Sequence, residues 1–276
     1  RVSQNLFPAS VFYNYCPELK QGGKTAAGVP VHVQIMGGEV QVMAENAAFV
    51  AELGAPGIDI NFGCPAKTVN RHDAGATLLQ WPVPDTVPIS AKMRLGFSEK
   101  TLAMENALAI AEAGVAKLTI HARTKLEGYR PPAHWEYLRP IVEQLDIPVV
   151  ANGEIWTPDD YRNCRKISGA EHVMVGRGVI ARPSLGREIA ASRGNSSQQI
   201  MFDWIGILEV IAEYHQLIKA MNNPPRQAGR LKQWIKLLAR NYEEAGPLFM
   251  AIRRFDSPDE ILREVELTQE RVFRAA

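Results

Sequence analysis

The sequence predicts an α/β protein, a (β/α)8 TIM barrel followed by a C-terminal all-helical bundle. Two observations carry this reading. Six short Val- and Ile-rich runs alternate with amphipathic stretches as far as residue 190, and beyond it the strand-like runs stop while helical periodicity continues. Alternating strands and helices imply parallel pairing through right-handed crossovers. Six such units joined by short loops favour a barrel over an open sheet.

The strand candidates are residues 31–36, 57–62, 88–95, 117–122, 147–151 and 172–176, most of them bounded by Gly or Pro. Residues 42–53 and 102–113 carry Ala-rich apolar stripes at helical spacing. Thr157-Pro158-Asp159-Asp160 is a helix start, with Thr to cap, Pro in the first turn and acids at the positive end. Arg182-Pro183-Ser184 opens another helix. Six strands are two short of a barrel. Residues 1–20 do not supply the other two, and residues 77–88, with Trp81-Pro82-Val83-Pro84, are too short for a crossover helix. Two N-terminal strands and one helix near Trp81 are therefore expected to be missing from these residues.

Residues 192–199 read as a polar linker. A helix over 201–221 places Trp204, Ile207, Leu208, Ile211, Leu217 and Ile218 on one face. Residues 222–225 break it, helices follow over 230–242 and 248–255, and Ser257-Pro258-Asp259-Glu260 starts the last. The expected domains are residues 1–190, a catalytic barrel incomplete at its N-terminus, and residues 199–276, a helical bundle.

The 276 residues are 46% hydrophobic and 22% charged, as in ordinary soluble domains. A net charge of +1 means that any nucleic-acid site must be a local patch. Cys16, Cys64 and Cys164 have no CxxC spacing, so neither a disulfide framework nor a metal site is expected, and a reducing cytoplasm fits. No run of about 18 apolar residues is present, so no membrane span is expected.

In such barrels the active site lies on the loops after the strands' C-terminal ends. Those ends carry Gln34; Asn61, Gly63 and Cys64; Lys92 and Arg94; His121, Arg123 and Thr124; Asn152-Gly153-Glu154; and Gly176-Arg177-Gly178. Polar groups within apolar strands are costly to bury without partners, and packing does not explain six strands doing this at one end. Gly153, Gly176 and Gly178, after the last two strands, let backbone N–H groups approach a cofactor phosphate, with Arg177 adding charge; the bland alternative is three tight turns. Lys92 can stabilise negative charge at the N1/C2 side of a reduced flavin, or be a buried lysine paired with Asp59 or Glu154. Gln34 can bond a flavin's pyrimidine edge or be a satisfied barrel-layer residue. Cys64, on a Gly-Cys-Pro turn, can be a proton donor, or a nucleophile if a base such as His121 lowers its pKa, or an inert buried thiol.

These residues bear a resemblance. The runs Val33-Gln34-Ile35, Asp59-Ile60-Asn61-Phe62-Gly63-Cys64-Pro65-Ala66-Lys67-Thr68-Val69, Ala91-Lys92-Met93-Arg94-Leu95-Gly96, His121-Ala122-Arg123-Thr124, Ala151-Asn152-Gly153-Glu154-Ile155 and Gly176-Arg177-Gly178 resemble the tRNA-dihydrouridine synthases over nearly the whole chain. Asn152-Gly153-Glu154-Ile155-Trp156 and Gly229-Arg230-Leu231-Lys232-Gln233-Trp234 look most like the bacterial C-type branch, which acts on U16 of the D-loop. The resemblance implies an FMN-dependent barrel, with NADPH (or NADH) as electron donor. Gln34, Lys92, His121, Asn152, Gly153, Glu154, Gly176 and Arg177 would hold FMN, and Cys64 would be the proton donor. Asn61 and Tyr129 would hold the uridine, while Arg1, Arg230, Lys232 and Arg253 would grip the tRNA. The family's Ala-Pro-Met flavin contact on the first strand is not in this sequence, and Ala66 and Ala122 replace the common Ser and Gly.

The implied protein is a cytoplasmic monomer that needs no protein partner. Residues 226–254 hold seven Lys and Arg and two Glu, a local basic patch; its bland reading is a solvated face. Trp234 reads as bundle core. Two rival readings are an FMN enzyme of a free pyrimidine, similar to dihydroorotate dehydrogenase, and a non-catalytic tRNA-binding protein. The basic helical domain argues against the first. The Gln34, Cys64, Lys92 and His121 set argues against the second.

Overall fold

A computed structural model describes residues 6–62, 87–194, 202–219 and 224–275. The chain divides into two compact units, Arg1–Glu154 with Arg162–Met174, and Ile155–Tyr161 with Val175–Ala276.

The first unit holds one parallel sheet of six strands in sequence order: β1 (Val33–Ile35), β2 (Ile58–Asn61), β3 (Ile89–Gly96), β4 (Lys117–Thr124), β5 (Val149–Asn152) and β6 (His172–Met174). Parallel neighbours in strict chain order are the staves of a (β/α)8 barrel. All six strands coincide with the segments the sequence marked, with β3, β4 and β5 running one or two residues beyond them. The N-terminal residues are helical, with α1 at Ala9–Tyr15 and a 3-10 turn at Pro17–Gln21. Helices α2 (Val40–Glu52), α3 (Ala103–Glu112) and α4 (Leu138–Gln144) pack on the strands. Residues 63–86, including the seam at Trp81, lie outside the described residues.

Strand alternation sorts the side chains. Val33, Ile35, Ile58 and Ile60 pack with Met43, Ala47 and Val50 of α2 in one buried cluster. Ala91, Met93, Leu95, Leu118, Ile120, Ala122, Val149 and Ala151 continue the apolar set across the later strands, all buried. The alternate positions are mostly polar: Gln34, Asp59, Asn61, Ser90, Lys92, Arg94, Thr119, His121, Arg123 and Asn152. A parallel sheet covered on both faces normally reads as continuous apolar runs. Here one face is apolar and the other is chemical.

Helix α5 (Pro158–Ser168) starts as the sequence predicts: the Asp160 N–H bonds Thr157 Oγ1 at 3.0 Å and Asp160 Oδ2 accepts from the Thr157 N–H at 2.9 Å. In the second unit, α6 (Arg177–Ala181) and α7 (Leu185–Ser192) precede four further helices, α8 (Trp204–Lys219), α9 (Pro224–Leu238), α10 (Ala245–Ile252) and α11 (Pro258–Ala275). Their core is Trp204, Ile207, Leu208, Ile211, Leu231, Ile235, Leu238, Leu248, Ile252 and Ile261. Two expectations are corrected. Leu217 is 75% exposed and His215 is buried in its place, because 215 lies four residues beyond Ile211 on the same stripe while 217 has turned away. Pro224 and Pro225 open α9 rather than only ending α8, since a first-turn proline lacks an N–H that would have no helical partner. No helix among the described residues is long and apolar enough to cross a membrane.

Candidate active site

Across the polar face the strand register puts Gln34 beside Asp59, Asn61 beside Lys92, Arg94 beside His121, and His121 beside Asn152. Five predicted site residues, Gln34, Asn61, Lys92, His121 and Asn152, thus share one face of one sheet. A cavity of 620 Å³ opens along the N-terminal half of this face, with Gln34, Asp59, Ser90, Thr119 and Val150 in its wall. Lys92, His121 and Asn152 lie farther along, toward the C-terminal strand ends.

Asp59 is the hub of the first two strands. Its Oδ2 accepts from Gln34 Nε2 at 2.5 Å and its Oδ1 from Ser90 Oγ at 2.7 Å. Gln34 Oε1 in turn accepts from Asn61 Nδ2 at 3.0 Å. Sequence reasoning named Asp59 only as a possible partner of Lys92 and overlooked Ser90. Strand parity was the available signal, because Asp59 and Asn61, or Ser90 and Lys92, are two apart and share a face.

Lys92 has neither of the acid partners the sequence suggested. Asp59 is engaged by Gln34 and Ser90, Glu154 pairs with Arg123, and no ion pair of Lys92 occurs among the described residues. Burial, and then the Arg94 charge, lower the Lys92 ammonium to about 8, partly opposed by Asp59. A partly buried cation with no anion of its own is a place for a ligand's negative charge.

Arg94 and Arg123 are buried and fully tied. Arg94 Nη1 donates to the carbonyls of Thr124 at 3.0 Å and Gly128 at 2.9 Å. Arg123 Nε donates to the Pro132 carbonyl at 3.1 Å, and its Nη2 pairs with Glu154 Oε2. Arg123 Nη1 lies 3.4 Å from His121 Nε2. A guanidinium only donates, so this ring nitrogen accepts. Tyr129 stands over the cluster, its ring 5.4 Å from the Arg94 guanidinium and 5.8 Å from the His121 ring. The loop carrying it is pinned by Glu127, which accepts from the Thr124 N–H at 2.6 Å and from Lys100 Nζ at 2.6 Å. Burial raises the Glu127 carboxyl, but Lys100, the Thr124 N–H and His134 together outweigh it and bring it down to about 2.

After β5 the chain turns sharply. Gly153 has φ +125°, and a Cβ there would sit 3.1 Å from the His121 ring. Its carbonyl accepts from Trp135 Nε1 at 2.9 Å, a partner the sequence did not suggest. Glu154 follows at φ +58°, a conformation unusual for a non-glycine residue and held here by the pair with Arg123. Asn152 Nδ2 donates to the Met174 carbonyl at 2.8 Å, tying β5 to β6.

Gly176 and Arg177 belong to the second compact unit and are exposed. The Arg177 guanidinium lies 5.1 Å from the Trp156 ring centroid, and Arg240 lies 3.8 Å from it. Gly178 has a packing reason: a Cβ there would meet the Ile155 carbonyl at 2.1 Å. Arg230 and Arg253 are exposed, whereas Lys232 Nζ donates to the Phe255 carbonyl at 2.7 Å. Trp234 packs against the bundle core and donates to the Ile180 carbonyl at 2.8 Å. Cys64 and Arg1 lie outside the described residues. No cluster of three metal-ligating side chains occurs among the described residues.

Comparison with known proteins adds a family. A model described as dihydrouridine synthase (Dus) matches residues 4–244. A Pseudomonas putida protein named tRNA-dihydrouridine(16) synthase is 49% identical over 276 residues, covering 95% of this chain and 85% of that protein. Relatives of the same name from Aquipseudomonas alcaligenes and Shewanella oneidensis are 46% and 44% identical. They cover 92% and 98% of this chain, and 84% and 88% of their own.

Proposed function

Because the chain belongs to the dihydrouridine synthase family, we propose that it reduces the C5=C6 bond of a uridine in tRNA to dihydrouridine, at position 16 of the D-loop, using FMN and NADPH. One observation carries the flavin reading: Lys92 is a partly buried cation with no ion pair among the described residues, on the same sheet face as Gln34, Asn61 and His121.

The residues fit FMN. Gln34 offers an amide to the pyrimidine edge. Lys92 offers charge to its N1/C2 side. Gly153, with His121 packed against it, lets the backbone approach closely. Asn152 and Glu154 shape that turn, and the family resemblance assigns the phosphate to Gly176 and Arg177. When bound, FMN reduced by NADPH supplies a hydride from N5 to uracil C6.

The rest falls to side chains. Cys64, a thiol protonated at neutral pH by its ordinary pKa of about 8.5, gives the proton to C5. Asn61 holds the uracil edge and Tyr129 lines the pocket for a base drawn out of the D-loop. Arg1, Arg230, Lys232 and Arg253 grip the tRNA backbone, with the barrel (residues 1–190) catalytic and the bundle (residues 199–276) binding RNA. The protein works as a cytoplasmic monomer.

The test is direct. The purified protein should bind FMN and, with NADPH, form dihydrouridine in tRNA, with mapping to position 16. The Cys64→Ala variant should keep FMN and lose the product. Absence of flavin binding in the wild type overturns the cofactor, and full activity of the variant overturns the thiol acid.

A further inference from the structure

We propose that Asp59 is a positioning residue: its carboxylate fixes the direction of the Gln34–Asn61 amide pair, and so decides which atoms those amides offer to a ligand. A carboxylate only accepts hydrogen bonds. The group Gln34 turns toward Asp59 must therefore be its NH2, as the 2.5 Å contact from Nε2 to Oδ2 has it. This forces Gln34 Oε1 to the other side. There it can meet only a donor, and Asn61 Nδ2 supplies one at 3.0 Å. The Asn61 oxygen is consequently turned away from Gln34.

Within the row Ser90–Asp59–Gln34–Asn61, no other side chain has this directing power. Amides carry a donor and an acceptor, and a row of amides is satisfied running either way. Ser90, which donates to Asp59 Oδ1 at 2.7 Å, bears a hydroxyl that can also do both. Only the carboxylate breaks the symmetry. It is buried, and both of its oxygens are engaged by neighbouring side chains. The consequence reaches the site face: one Gln34 N–H beyond the Asp59 bond remains for a ligand acceptor such as a ring carbonyl. A reversed amide would put an oxygen there instead. This step rests on the flavin-and-uridine reading of the face.

The relay can be run backwards. Asn61→Asp alone sets a second carboxylate against Gln34 Oε1, and no orientation of Gln34 then satisfies both neighbours. Asp59→Asn alone leaves an all-amide row that works in either direction. The double variant Asp59→Asn/Asn61→Asp restores a fully bonded row of opposite sense, with Ser90 still donating to the residue at 59.

The experiment compares the four proteins at pH 7.5 by thermal unfolding without ligand, by FMN titration and by dihydrouridine formation in tRNA. Asn61→Asp should lower Tm by about 3–6 °C. Asp59→Asn should keep Tm within about 2 °C of wild type and weaken FMN. The double variant should recover most of the Tm lost in Asn61→Asp, yet bind FMN about tenfold more weakly than wild type. Failure of the double variant to recover Tm overturns the relay. Recovery of Tm together with wild-type FMN affinity and product formation reduces Asp59 to a packing role and overturns its positioning of ligand. If the wild type itself binds no FMN, the flavin reading falls, and the ligand-free Tm cycle still decides the relay by itself.

Discussion

The sheet of the first unit and the four-helix bundle of the second handle charge in opposite ways. In the barrel unit Asp59, Arg94 and Arg123 are buried on the sheet, each held by named partners. In the helical unit the four-helix core is mostly apolar, with His215 and Gln227 also buried, and Arg230, Lys236, Arg240, Arg253 and Arg254 stay exposed. Burying an ion costs several kcal/mol before its pairing returns anything, whereas an exposed ion costs almost nothing. A buried barrel guanidinium therefore cannot lose its carboxylate partner without harm, whereas an exposed bundle charge can be removed. A fold under selection for stability alone would have no use for the first arrangement. That difference is what the proposed division of labour requires, with chemistry on the sheet face and attraction of RNA at the bundle.

The sharpest way to break the contrast is to strip one partner from the barrel. Glu154→Ala leaves the fully buried Arg123 guanidinium without its carboxylate, with the Pro132 carbonyl and His121 as its remaining partners among the described residues. A loss of about 3–5 kcal/mol is expected in urea unfolding. A loss under about 1 kcal/mol would mean that water or another group covers Arg123. In the bundle a comparable loss requires an apolar deletion instead. Leu231→Ala, at a fully buried core position, should cost about 3 kcal/mol by the same measurement.

How far the sequence reads differs between the two units for the same physical reason. The strands were legible because Val and Ile runs between glycines have few alternatives, and the polar residues at their ends stood out against an apolar background. Gln34, Asn61, Lys92, His121 and Asn152 consequently converge as expected. What the sequence did not disclose was pairing. Lys92 with either of two acids was a fair reading until the register gave Asp59 to Gln34 and Ser90, and Glu154 to Arg123. Trp135 could not be found at all, since its bond to the Gly153 carbonyl depends on a loop returning across the sheet. In the bundle, periodicity located the core but misjudged Leu217, because a stripe drawn from residue types admits any nearby leucine. Gly178 looked like an anion turn and has a packing role against the Ile155 carbonyl, which glycine spacing does not reveal.

Lys92 offers a finer probe of the barrel's charge. Its pKa of about 8 in the folded protein lies below its unfolded value of about 10.5. Below pH 8 both states carry the proton, and the folded state bears the whole penalty. Between pH 8 and 10.5 the unfolded state holds more protons, so stability rises with pH. Lys92→Met should abolish that rise and add on the order of 2 kcal/mol at pH 7 in ligand-free protein. It should also weaken FMN. Conversely, FMN binding by the wild type should decline as pH climbs through about 8. A Lys92→Met variant with unchanged FMN affinity would remove the cation from the flavin site.

The smallest expected effect on stability is the most informative about the bundle. Arg253 sits just past the end of α10, is exposed and has no ion pair among the described residues. Arg253→Ala should change unfolding free energy by no more than about 0.5 kcal/mol. If the bundle attracts RNA through phosphates, the same variant should weaken tRNA binding at low salt and reduce the slope of log affinity against log salt by about 1. Arg230→Ala should do likewise. Lys232→Ala should differ: its ammonium also holds the Phe255 carbonyl, so stability and the salt slope should fall together. Equal slopes in all four proteins would show that these cations make no phosphate contacts. The contrast between the units would then concern solubility rather than recognition.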